Sequence, residues 1–138
     1  MMKKRAAILI LALAIPFAFV HSPINGQTSS KTVVYYFHGQ FRCYSCTRIE
    51  ELTRKALQKG FAGELAKGTL VLKVVNIDIA KNEHYINDYN LQTRSVVVSK
   101  ISGGKEITWK NLDGVWTYLR DETAFSNYII SEVKRFIR

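Results

Sequence analysis

Val33-Val34-Tyr35-Tyr36-Phe37-His38-Gly39-Gln40-Phe41-Arg42-Cys43-Tyr44-Ser45-Cys46-Thr47-Arg48-Ile49-Glu50 is the stretch that decides how this chain folds. Its first five residues form an unbroken β-branched and aromatic run. A strand without polar alternation is one covered on both faces. Gly39 ends it. From 47 to 58 the pattern turns helical: Ile49, Leu52 and Ala56 fall on one stripe, and Glu50/Arg54 and Glu51/Lys55 form i,i+4 pairs on another. Gly60 is expected to stop that helix. Two cysteines stand at the junction between the strand and the helix.

Downstream, residues 70–77 read as a second strand. A short helix should follow, with Asp78 or Asn82 as its cap, Tyr85 and Tyr89 one turn apart, and Asn90 at its exit. Runs at 96–101 and 105–109 flank Gly103-Gly104, which predicts an antiparallel hairpin. Residues 115–119 have room for one helical turn. Asp121 then caps a closing helix in which Phe125, Tyr128, Ile129, Val133, Phe136 and Ile137 repeat at helical spacing. A strand, helix, strand unit needs a crossover that sets its two strands parallel. The expected class is therefore α/β, a four-stranded mixed sheet with helices on both faces.

Upstream, Met1-Met2-Lys3-Lys4-Arg5 precedes an apolar run at 6–20 and a polar stretch at 21–27, the layout of a secretory signal peptide. The run is interrupted by Pro16 and falls short of the ~20 residues a spanning helix needs. Cleavage after Gly26 gives a signal peptide at 1–26 and one domain at 27–138, the latter opening on a short linker. If the signal stays uncleaved, it anchors the chain to a membrane. Export places the domain in the periplasm or outside the cell, where disulfides persist.

Composition agrees with one compact exported domain. The 138 residues are 47% hydrophobic and 22% charged, with only 2 Pro and 8 Gly, which excludes disorder as the main description. Two cysteines exclude a disulfide-rich scaffold and a four-cysteine zinc ribbon. Twenty Lys and Arg against 11 Asp and Glu give +9, but three of those cations are Lys3, Lys4 and Arg5, and without them the excess is +6. No basic block remains, so nucleic acid is not an expected partner. Trp109 and Trp116 read as core or hairpin cover and His84 as exposed. No Gly-rich phosphate loop, nucleophile elbow or HExxH occurs, and nothing has the look of a flavin or nicotinamide site. No cofactor is expected.

The element order, together with Cys43-Tyr44-Ser45-Cys46 where the first strand meets the first helix, resembles the thioredoxin superfamily over nearly all of 33–137. That resemblance implies a three-layer thioredoxin-like fold. More narrowly, Tyr35-Tyr36-Phe37-His38-Gly39 leading into Arg42-Cys43-Tyr44-Ser45-Cys46 and Ile49-Glu50 resembles the exported thioredoxin-like family of ArsF-type nitrophenyl-compound nitroreductase subunits.

The chemistry follows from where the sulfurs fall. Cys43 should lie beside the first free N–H groups of a helix beginning near Ser45, where partial positive charge favours a thiolate. Arg42 adds a cation next to it, so Cys43 is the expected attacking thiolate. Cys46, one turn on and more buried, is placed to resolve the mixed disulfide. Tyr44, Ser45, Arg94 and Ser95 are the expected substrate-binding residues. Two departures from the thioredoxin pattern matter. Ser95 stands where thioredoxins carry a cis-proline, so the Arg94-Ser95 peptide is predicted to be trans. The buried aspartate of the first strand is missing, and His38 is its candidate replacement as a proton carrier. Glu50 is read as a surface partner of Arg54 in preference to a proton shuttle.

The leading expectation is an exported thiol-disulfide oxidoreductase or electron-relay protein, working with a redox partner protein or a small thiol. One alternative is a soft-metal or metalloid module holding Cu(I) or As(III) on Cys43 and Cys46, with His38 or an outside ligand. A noncatalytic adaptor that keeps the fold for docking is the other.

Overall fold

The structure, a computed structural model, describes residues 29–137. The signal peptide expected at 1–26 and the first residues of the 27–138 domain lie outside them. Strand β1 (Ser30–His38) leads into helix α1 (Tyr44–Lys67), strand β2 (Leu70–Asn76), a 3-10 turn (Ala80–Asn82) and the short helix α2 (His84–Asp88). The hairpin β3 (Ser95–Ser102) and β4 (Lys105–Asn111) follows, then α3 (Gly114–Thr117) and α4 (Glu122–Ile137).

The sheet order is β2-β1-β3-β4. β1 runs parallel to β2, with Tyr36 opposite Val74, and antiparallel to β3, with Tyr36 opposite Val96. The central strand is thus β1, the one whose residues left no polar face. Its alternate side chains serve two cores. Val34 and Tyr36 pack with Ile49, Leu52, Ala56 and Leu57 of α1 and with Phe125, Ile129 and Val133 of α4. Val33, Tyr35 and Phe37 pack on the opposite face with Tyr89, Leu91 and Val97. Helices on both faces of a four-stranded mixed sheet make the α/β, thioredoxin-like three-layer fold that the sequence predicts.

Two local expectations are corrected. Gly60 does not end α1, which continues to Lys67 and closes on Gly68 (φ 71). Gly60 is there for close approach: a Cβ on it would lie 2.8 Å from Ile130 Cγ1 of α4. The break that does occur is one residue later, where buried Phe61 leaves helical geometry (φ −144, ψ 34) without terminating the element. Nor does Asp78 or Asn82 cap α2, whose N-cap is Glu83 with no side-chain bond. Asp78 accepts the Gln40 N–H at 2.6 Å, and Asn82 Nδ2 donates to the Asn76 carbonyl at 2.8 Å. Asp78 thus fastens the loop after β1, and Asn82 the turn after β2. Asp121 does cap α4, its Oδ1 accepting the Ala124 N–H at 2.9 Å.

Candidate active site

The site is built where β1 hands over to α1. Cys43 is the N-cap of α1, with extended backbone (φ −76, ψ 167). Its sulfur accepts the Cys46 N–H at 3.2 Å, and its carbonyl accepts the Thr47 N–H at 3.1 Å. A cysteine thus fills the position usually given to Ser, Asp or Asn, whose side chain satisfies an orphan N–H of the first turn. Cys43 and Cys46 form a disulfide with Cα atoms 5.1 Å apart, inside the range such a bond requires. The two sulfurs differ in access. Cys43 is half-buried, whereas Cys46 is 1% exposed.

Tyr36, fully buried in β1, donates its hydroxyl to the Cys46 carbonyl at 2.6 Å and so pins the first turn of α1 to the sheet. Burial raises the Tyr36 hydroxyl above its ordinary pKa and the negative Glu50 adds to this, while the Arg42 and Arg94 charges pull against both. Arg42 lies with its guanidinium 5.7 Å from the centre of the Tyr36 ring and is ion-paired with Glu50. Glu50 also holds Arg54, at 3.1 Å. Burial would raise the Glu50 carboxyl, but the hydrogen bonds and charges of the two guanidiniums outweigh it and hold it below the usual range. Arg42 therefore does not stand beside Cys43 as an unpartnered cation.

His38 closes β1 on the α1 side of the sheet, its ring 5.9 Å from that of Tyr36 and its Nδ1 2.8 Å from the Gly39 carbonyl. Tyr44 is 84% exposed and Phe41 75%, so aromatic rings stand in solvent on both sides of Cys43. Tyr44 and Ser45 line a groove of about 400 Å³ with Arg48, Leu119 and Arg120. Arg48 is held by Glu51 at 3.3 Å and Glu122 at 2.9 Å.

Arg94 and Ser95 enter from the start of β3. Ser95 is buried and its hydroxyl donates to the Thr93 carbonyl at 2.8 Å. The Arg94-Ser95 peptide is trans, as predicted, since the described residues contain no cis bond. The Arg94 guanidinium and the Asp78 carboxylate close over Gly39, where a Cβ would meet Asp78 Oδ2 at 2.8 Å and Arg94 Nη2 at 3.1 Å.

Three participants escaped the sequence reading. Tyr36 could have been found by parity, because alternate residues of β1 face opposite helices and Tyr36 shares a face with Val34. Trp116 donates its indole N–H to the Arg94 carbonyl at 3.0 Å, tying α3 to this loop. Asp78, placed by its position after β2 as a cap, accepts the Gln40 N–H instead. Nothing in local sequence announces the last two contacts, which span 22 and 38 residues. Among the described residues no group of three or more His, Cys, Asp or Glu is gathered in one place.

No family model matches the chain, and no curated protein matches its sequence. Solved structures do. A Fasciola hepatica thioredoxin is 20% identical, with a TM-score of 0.44 over 77% of this chain and 81% of its own. A reduced Schistosoma mansoni thioredoxin pre-protein is 20% identical, with a TM-score of 0.46 over 80% of this chain and 83% of its own. A malaria-parasite thioredoxin-2, described as a component of the parasite's protein secretion machinery, is 18% identical, with a TM-score of 0.45 over 81% of this chain and 90% of its own.

Proposed function

We propose that this protein is an exported thiol-disulfide oxidoreductase or electron relay that cycles Cys43 and Cys46 between dithiol and disulfide. One observation carries the reading: the more accessible sulfur caps the opening turn of a long helix, and the bonded partner sulfur is buried one turn on. In the reduced protein the same N–H groups favour a thiolate at Cys43. That thiolate attacks a substrate disulfide, forms a mixed disulfide and expels one substrate thiolate. Cys46, as thiolate, attacks the Cys43 sulfur, remakes the Cys43–Cys46 bond and releases the second substrate sulfur as a thiolate. Two electrons pass to the substrate, and protons reach the released thiolates from water and from Cys46. A reducing dithiol partner or small thiol restores the protein.

Phe41 and Tyr44 offer exposed apolar contact to the incoming chain, and Ser45 lines the groove with Tyr44. Arg94, over Gly39, and the buried Ser95 at the start of β3 complete the proposed substrate-binding set. His38, stacked on Tyr36, is the group proposed to carry a proton. The relay form, in which the dithiol passes its electrons to a partner protein, is the one suited to the ArsF-type likeness of residues 35–50. The leader expected at 1–26 is what points this proposal to the periplasm or the outside of the cell.

The test is exchange with insulin or glutathione disulfide. Cys43→Ser should abolish it, and Cys46→Ser should trap a mixed disulfide on Cys43. Stoichiometric Cu(I) or As(III) binding without exchange would overturn the proposal in favour of a metal module. Exchange that survives Cys43→Ser would also overturn it.

A further inference from the structure

Glu50 lies seven residues beyond Cys43, about 10 Å of helix rise, yet it holds the guanidinium of the residue immediately before that cysteine. Arg42 is drawn along the side of α1, across the Tyr36 ring, into a pair with a carboxylate that also serves Arg54. The connected set runs Arg54, Glu50, Arg42, Tyr36 and the Cys46 carbonyl. Among the described residues Glu50 is the carboxylate with which Arg42 pairs, and without it a guanidinium with five donors would stand as an unpaired cation on the residue next to the attacking sulfur.

We propose that Glu50 is a positioning residue for Cys43: by clamping Arg42 against Tyr36 it withholds that positive charge from the sulfur and so limits how readily Cys43 ionises. This rests on the reading of Cys43 as the reacting thiol. Removing the Glu50 charge frees Arg42 to approach the sulfur, which favours the thiolate. The other charged and titratable groups around this end of α1 are Tyr36 and His38 from β1, Asp78 after β2, Arg94 before β3, and Arg48 and Arg120 along the groove. Arg48 is held by Glu51 and Glu122, and Arg94 lies over Gly39 with Asp78; of the two guanidiniums that Glu50 holds, Arg42 is the one adjoining Cys43 in the chain.

The experiment is alkylation of the reduced protein by iodoacetamide across pH 5 to 9, with modification at Cys43 followed by mass spectrometry. Glu50→Gln should lower the half-alkylation pH and raise the rate at pH 6 about threefold, a change of the size expected for a surface ion pair. Arg42→Gln should not lower it, and adding Glu50→Gln to Arg42→Gln should bring no further acceleration. Thermal unfolding of each variant confirms that it is folded before the rates are compared, and Glu50→Asp should restore much of the parent profile. An unchanged profile in Glu50→Gln overturns the proposal. So does an acceleration that persists undiminished in the Arg42→Gln background, because Glu50 would then act directly on the sulfur. Exchange activity of Cys43→Ser tests the underlying reading separately, since these alkylation shifts do not depend on any disulfide substrate.

Discussion

Reducing the Cys43–Cys46 bond should cost the fold little, and the size of that cost can be worked from the site. The bond closes a loop with a sequence separation of only 3. For a ring of about four residues the chain-entropy relation gives roughly 2 kcal/mol. An offset comes from the reduced state itself, because the Cys43 sulfur already accepts a first-turn N–H at 3.2 Å and an anion at a helix N-terminus gains about 0.5–1 kcal/mol. The net loss at pH 8 is therefore about 1–1.5 kcal/mol. With a urea slope of about 1.5 kcal/mol/M, the unfolding midpoint should fall by about 1 M or less on adding reductant. The sign with pH also follows. A thiol whose folded-state pKa lies below its unfolded value stabilises the fold above the unfolded value and ceases to do so as pH falls through the folded one. The deficit of the reduced form should thus be larger at pH 5 than at pH 9. Paired urea titrations with and without reductant, with the double serine variant as reference, measure all of this. A loss above about 3 kcal/mol, or unfolding on reduction, would refute the reasoning and make the bond a structural staple.

Tyr36→Phe removes a buried hydroxyl bond while the Cys46 carbonyl keeps its place in the helix. It should cost about 1–1.5 kcal/mol, seen as a fall in Tm of about 5 °C. Ile129→Ala opens a cavity at a fully buried position between α4, α1 and the sheet, with an expected loss of about 2–5 kcal/mol by urea unfolding. Burial pushes the Tyr35, Tyr36, Tyr89 and Tyr128 hydroxyls above their ordinary pKa. Stability should be fully present below about pH 10 and decline above it, as the unfolded tyrosines ionise while the folded ones stay protonated. Tyr89→Phe should flatten that decline, and titration of unfolding free energy between pH 9 and 11 reads it. Gly39→Ala should slow disulfide exchange more than it lowers Tm, because Asp78 and Arg94 must move aside from the new methyl group.

The fold was legible because two periodicities change sharply at one place. The apolar run at 33–37 reads as a strand covered on both faces, and the stripe of Ile49, Leu52 and Ala56 together with the two i,i+4 ion pairs reads as one helix. The cysteines between them then had to sit at a helix opening. What stayed hidden depends on partners distant in sequence. Gly60 looked like a helix stop because its reason, the Ile130 side chain, lies 70 residues away. Asp78 and Asn82 stand where a cap would, but Asp78 reaches back to the Gln40 N–H in the loop after β1, and Asn82 turns back to the Asn76 carbonyl that ends β2. Arg42 looked like a free cation beside the sulfur. Its pairing with Glu50 was obscured because Glu50 already had a suitable partner in Arg54, and a carboxylate can serve two guanidiniums at once.

The interruption at Phe61 has a mechanical meaning. It divides α1 into two rods, one carrying the sulfurs and one running on to Gly68. Torque applied at the opening turn when a bulky molecule is covalently attached can be absorbed at this joint before it reaches the far rod and the start of β2. Amide protons just beyond Phe61, where the backbone leaves helical geometry, should then exchange with deuterium sooner than those midway along either rod, and sooner still while a mixed disulfide occupies Cys43.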